Sequence, residues 1–193
     1  NLVTPTHFIP SIAEAIGFAK IRGLNLPIVY NTGSYDTVEA LKTLEGLVDI
    51  YLPDLKYYTS RTAALSHAPD YPTVARAAIE EMVRQTGVPT FDSDGIMQRG
   101  TLVRILLLPG HTAEAKLSLG YLYKTYGDKI FVSLMSQYTP TENMKSPLDR
   151  RVTHAEYREL LDYAATLGIK NCFTQELSSA RESYIPAFDG TGV

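Results

Sequence analysis

A chain of 193 residues that is 45% hydrophobic can bury a substantial core, and a single globular domain spanning residues 1–193 is the expectation. Its 18 basic and 21 acidic residues are intermixed to a formal charge of −3, which leaves no basic stripe for nucleic acid. No uncharged apolar run approaches the ~20 residues of a membrane span, and the first residues lack the basic-then-apolar pattern of a signal peptide, so a soluble, cytoplasmic protein is expected.

Apolar runs of strand length alternate with longer segments of helical period, the pattern of a parallel α/β fold. Residues 1–6 read as a first strand. Ser11 is an acceptable N-cap for a helix carried by Ile12, Ala15, Ile16 and Ala19, which stops near Gly23. Strands follow at 27–31 and 47–52, with a helix at 36–45 between them. Ala75, Ala78, Ile79, Met82 and Val83 mark a strong helix closed by Gly87. At 88–100 the rhythm breaks: FDSDG between short β-like flanks predicts a hairpin excursion. A strand at 101–108, a helix at 112–126 and a strand at 130–135 restore it. Thr153 and Glu156 have the spacing of a capping box ahead of Tyr157, Leu160, Leu161, Ala164 and Ala165; that helix closes at Gly168, and a last strand spans 170–174.

Ligands in folds of this class sit at the carboxyl ends of the strands. Those ends here are Thr4-Pro5-Thr6-His7, Asn31-Thr32-Gly33-Ser34, Pro53-Asp54-Leu55-Lys56, Pro109-Gly110-His111 and Ser136-Gln137-Tyr138, all polar. The sharpest is VDIYLPDLKY. In extended backbone Val48, Ile50, Leu52, Asp54 and Lys56 share one face, so an apolar row ends in an acid and a base. That pair reads either as a carboxylate and ammonium aimed at a ligand or as a salt bridge closing the rim. Arg104 shares the even spacing of Leu102, Leu106 and Leu108. A charge in such a layer requires a partner, either an interior carboxylate or a ligand carboxylate.

His7 and His111 lack HxH or HxxxH spacing and read as hydrogen-bonded loop histidines, so no metal ligand is assigned. Asp92 and Asp94 open like a calcium loop without its later glutamate and read as turn formers. Tyr57 and Tyr58 read as packing residues, and Gly33 and Gly110 as backbone hinges. Cys172, the only cysteine, excludes an internal disulfide and any site needing several thiolates from this chain.

The ordered series NLVTPTH, PIVYNTGSY, VDIYLPDLKY, APDYP, VRILLLPGH, SLMSQYTP and FDGTG resembles the radical S-adenosylmethionine (SAM) proteins related to pyruvate formate-lyase activating enzyme, over essentially the whole chain. The resemblance implies a partial (β/α) barrel of mostly parallel strands. In that family a [4Fe-4S] cluster, held by a CxxxCxxC loop after the first strand, binds SAM and cleaves it to a 5′-deoxyadenosyl radical. It further implies an electron donor and a radical target, either a glycine of a partner glycyl radical enzyme or another substrate. Carried onto this sequence, Thr4, Thr6 and His7 stand where relatives contact the methionine amino group. Asn31, Thr32 and Ser34 form the next SAM-facing end, and Asp54 and Lys56 resemble the pair near the SAM ribose and carboxylate. Arg104 and His111 belong to the strand that approaches SAM from the side, and Gln137 and Tyr138 border adenine. No catalytic residue is assigned.

CxxxCxxC does not occur here. The chain is therefore expected to start at the second barrel strand, to lack the activity alone, and to self-associate through the open edge of residues 1–6. Two other readings compete. One is an aldolase- or lyase-like enzyme in which Lys56 forms a Schiff base with a carbonyl substrate; the other is a noncatalytic interaction domain.

Overall fold

The computed structural model describes residues 1–141 and 144–175; the FDGTG motif at 188–192 lies outside them. Among the described residues the chain builds a mixed α/β fold around a seven-stranded, mostly parallel, open sheet. Strand β1 is Leu2–Val3, and β2 (Val29–Thr32), β3 (Ile50–Pro53), β5 (Met97–Leu106), β6 (Phe131–Met135) and β7 (Cys172–Thr174) follow it in parallel in that spatial order. Only β4 (Thr90–Phe91) runs antiparallel, forming the expected hairpin with β5. The Asp92 carboxylate holds that turn by accepting from the amides of Asp94 and Ile96 and from the Gln98 side chain.

The helices are α1 (Ile9–Ile21), α2 (Val38–Lys42), α3 (Ser60–Ala63), α4 (Tyr71–Thr86), α5 (Thr112–Tyr126) and α6 (His154–Leu167). Parallel strands laid down in sequential order, joined by right-handed crossovers, put their helices on one face of the sheet. Burial follows that geometry. Tyr30, Tyr51, Val103, Ile105, Leu107, Val132 and Leu134 are fully buried under helices, whereas the alternate residues Asn31, Leu52, Arg104, Leu106 and Ser133 are half-buried on the opposite face. The core has two parts: one packs Leu55, Ile79, Val103 and Ile105 against Leu119 and Leu160, and the other packs Tyr30 and Tyr51 against Ile9, Leu41 and Met82.

Several boundaries differ from expectation for identifiable reasons. The first strand is two residues long because Thr4 turns into the left-handed region (φ 51°) and Thr6–Phe8 form a 3-10 turn. Helix α1 begins at Ile9, before Ser11, with Pro10 in its first turn, where a missing amide costs nothing. Val48 precedes β3 and packs in the helix-side core, so it does not share the face of Asp54. The capping box at Thr153 and Glu156 forms, and Gly168 ends α6 with φ 71°. The short helix α3, capped by Thr59, carries too few apolar residues to give a helical period. None of the helices among the described residues is long and apolar enough to cross a membrane.

Candidate functional site

Four polar groups converge on the open face at the carboxyl ends of β2, β3 and β5. Arg104 Nε donates to Asp54 Oδ1 at 2.7 Å, and its Nη2 donates to Asn31 Oδ1 at 2.7 Å. Lys56 Nζ lies 3.5 Å from the second Asp54 oxygen. Asp54 therefore stands between two cations, and its partner Arg104 is an interior carboxylate's partner rather than an isolated charge. The Arg104 and Asp54 side chains are 24% and 19% exposed, while Lys56 is 45% exposed, so the ammonium is the outermost member.

Backbone pairing fixes this arrangement. The Asp54 amide donates to Thr32 O, and the Leu55 amide donates to Arg104 O, which continues the parallel ladder one step past β3 despite Pro53. From α4 the buried Tyr71 hydroxyl donates to Asp54 O at 2.8 Å and accepts from the Lys56 amide at 3.1 Å. Burial pushes the Tyr71 phenol above its ordinary range, so it stays protonated and serves both bonds. The same helix start carries the APDYP segment. Tyr71 is thus a positioning residue for the Asp54–Lys56 pair that strand spacing alone does not reveal.

Not every residue at these strand ends joins the cluster. Thr32 and Ser34 are buried on the helix side. Thr32 Oγ1 donates to Asp36 Oδ2 at 2.6 Å and accepts from the Ser34 amide, and Tyr30 donates to the other Asp36 oxygen. That network holds the loop after β2, and the alternation of strand faces, which sets Thr32 opposite Asn31, is the signal for it. Thr4 sits beside the cluster's edge, its amide donating to Asn31 O, while Thr6 is half-buried and His7 exposed in the following turn. His111 borders a small pocket with Lys56, and its Nδ1 is bonded to Pro109 O. Gln137 is half-buried just past β6.

Lys56 also lines a mostly apolar cleft of about 240 Å³, together with Leu65, Leu106, Leu108, Tyr138, Met144 and Leu148 and the hydroxyl-bearing Tyr57 and Ser66. The Tyr138 hydroxyl donates to Leu148 O at 2.8 Å and ties two of its lining residues together. Glu114 in the first turn of α5 accepts from the amides of Tyr58 and Thr59 and from the Thr59 hydroxyl, fixing the loop that carries Lys56 and Tyr57. These hydrogen bonds outweigh desolvation and hold the Glu114 carboxyl below its usual range. Tyr58 packs as the sequence suggests, its ring under the Arg76 guanidinium.

Among the described residues no group of three or more His, Cys, Asp or Glu side chains is arranged to hold a metal ion. Cys172 is a lone, half-buried thiol on β7, and burial pushes it up, away from the thiolate form that iron requires.

No family model matches the sequence. It is similar to an uncharacterized protein of Methanocaldococcus jannaschii, with 25% identity over 163 residues that cover 83% of this chain and 43% of that protein. The chain therefore spans less than half the length of this relative.

Proposed function

We propose that this chain carries the SAM-binding wall of a radical SAM protein related to the glycyl-radical-enzyme activases, on a partial barrel and in the cytoplasm. The observation that carries this reading is the convergence of Asn31, Asp54, Lys56 and Arg104 at one rim, at the strand ends that the motif series points to. The donor set suits SAM: a carboxylate to accept from ribose hydroxyls, an ammonium for the methionine carboxylate, and an amide fixed by Arg104. Bound SAM would supply a carbon–sulfur bond that one-electron reduction breaks.

The residues of this chain bind and orient. Arg104 holds Asp54 and Asn31 in place, Asp54 presents its free lone pairs, and Lys56 reaches outward with the N–H donors that Asp54 does not use. Thr4 pairs with Asn31, and His111 and Tyr138 line pockets that Lys56 shares; with His7 and Gln137 they would complete the pocket, while Thr6, which bonds Tyr30, and Thr32 and Ser34 would act through the loop they brace. A [4Fe-4S] cluster does not fit these residues, since the chain has one cysteine. Its thiolates, the electron donor and the radical target would all come from outside this chain.

Schiff-base chemistry at Lys56 is less well supported, because such lysines act from desolvated pockets and this side chain is 45% exposed. Calorimetric titration with SAM separates the readings. Asp54→Ala and Lys56→Ala should each weaken binding roughly tenfold or more, the cost of one charge-assisted hydrogen bond. Unchanged affinity in both variants would return the pair to a purely structural role. Trapping of a carbonyl substrate on Lys56 by borohydride would instead establish the lyase.

A further inference from the structure

The cleft beside Lys56 is mostly apolar, in contrast to the polar cluster that shares the lysine with it. Its walls are mainly leucines, Leu106 and Leu108 from the strand end, Leu65 from the turn after α3 and Leu148 from the segment after β6, and the hydroxyls of Tyr57 and Ser66 in the lining are bonded to each other. Among the described residues that line this cleft the one charged group is Lys56, which the Asp54–Arg104 cluster shares. An ammonium has three N–H donors; one faces Asp54 and one is assigned above to the methionine carboxylate of SAM, which leaves the third for a substrate anion.

We propose that this cleft is the site of the reacting substrate, and that the substrate is a small carboxylic acid with an aromatic or branched aliphatic body. The inference rests on the SAM reading of the neighbouring cluster. The body fills the leucine-lined space and the carboxylate meets Lys56, which places the substrate's C–H bonds beside the cluster where SAM would lie. Volume sets the size. An apolar cavity of roughly 150 Å³ holds benzene, so 240 Å³ takes one ring with a short chain. A glycine in a protein loop has no side chain to occupy such walls, and a glycyl target would leave them in contact with water.

The probes are 3-phenylpropionate, its neutral amide, SAM and a glycine-rich peptide, each titrated into the 193-residue protein and followed by amide resonances. The acid should saturate in the millimolar range and shift Leu108, Tyr138 and Leu148, binding about tenfold tighter than the amide through the contact to Lys56. Lys56→Met should abolish that acid-over-amide preference while retaining ring binding. Leu148→Trp should block the cleft, whereas Leu148→Met should keep it open and serve as the control for folding. Equal binding of acid and amide, no shifts at the cleft, or shifts produced there by the peptide alone would overturn the proposal. The two readings fail separately. SAM shifting Asn31 and Asp54 with no effect of the acid refutes only the cleft assignment; the acid binding with no effect of SAM refutes only the SAM assignment.

Discussion

Replacing Arg104 with alanine tests whether this residue organises the site or only borders it. The substitution removes two hydrogen bonds of 2.7 Å, one to the Asp54 carboxylate and one to the Asn31 amide oxygen. A bond to a charged group contributes about 1.5–3 kcal/mol, and orphaning a half-buried carboxylate adds to the loss. Two features reduce it: both side chains retain about a fifth of their exposure, and Lys56 remains 3.5 Å from the other Asp54 oxygen. The net destabilisation should be about 2–3 kcal/mol, or roughly 5–10 °C in Tm for a domain of this size. Arg104→Lys keeps the charge without the planar fork and should cost about half as much. Urea denaturation followed by circular dichroism measures both, and a cycle with Asp54→Asn isolates the pair, with a coupling above about 1 kcal/mol expected. Stability within about 0.5 kcal/mol of the parent for Arg104→Ala would show that the guanidinium braces nothing.

Three further outcomes follow from other parts of the fold. The Arg84 guanidinium and the Gln85 amide hold the buried Glu81 carboxyl at about 2. Its folded value lies below its unfolded one, so its contribution, about 1–2 kcal/mol after allowing for solvent around Arg84, is present above pH 4.5 and lost as pH falls toward 2; acid titration of stability should lose this component in Glu81→Gln. Gly110→Ala should cost about 2 kcal/mol or more by thermal melting, because φ is 73° and the new Cβ would meet Pro147 Cγ at 2.7 Å; a neutral result would mean that the Pro147 segment yields freely. Val3 is 64% exposed on the edge strand, so the protein should self-associate by light scattering and Val3→Lys should reduce it, while a strictly monomeric parent would show that the edge is covered.

Strand chemistry is the part of the site that a linear reading reaches. Asp54, Lys56 and Arg104 stand at even spacing in extended backbone, and the ladder carries that spacing past Pro53, so their shared face is visible without coordinates. Asn31 and Thr32 are adjacent yet belong to opposite faces; a strand end treated as one polar block conceals this, and the period of two reveals it. Tyr71 and Glu114 are hidden for another reason. Each acts through a pairing across the fold, such as Tyr71 on the backbone of Asp54 and Glu114 on Thr59, and nothing in the local pattern of α4 or α5 signals it. The limits of β1 were equally opaque, because the left-handed turn at Thr4 has no glycine to announce it.

A crystal structure of the protein grown in millimolar SAM tests most directly whether Asn31, Asp54, Lys56 and Arg104 form the proposed SAM-binding wall. Density is expected at the carboxyl ends of β2, β3 and β5, with the ribose hydroxyls within hydrogen-bond distance of Asp54 and the methionine carboxylate facing Lys56. A well-ordered crystal with SAM bound elsewhere, or with no SAM at this rim, would contradict it.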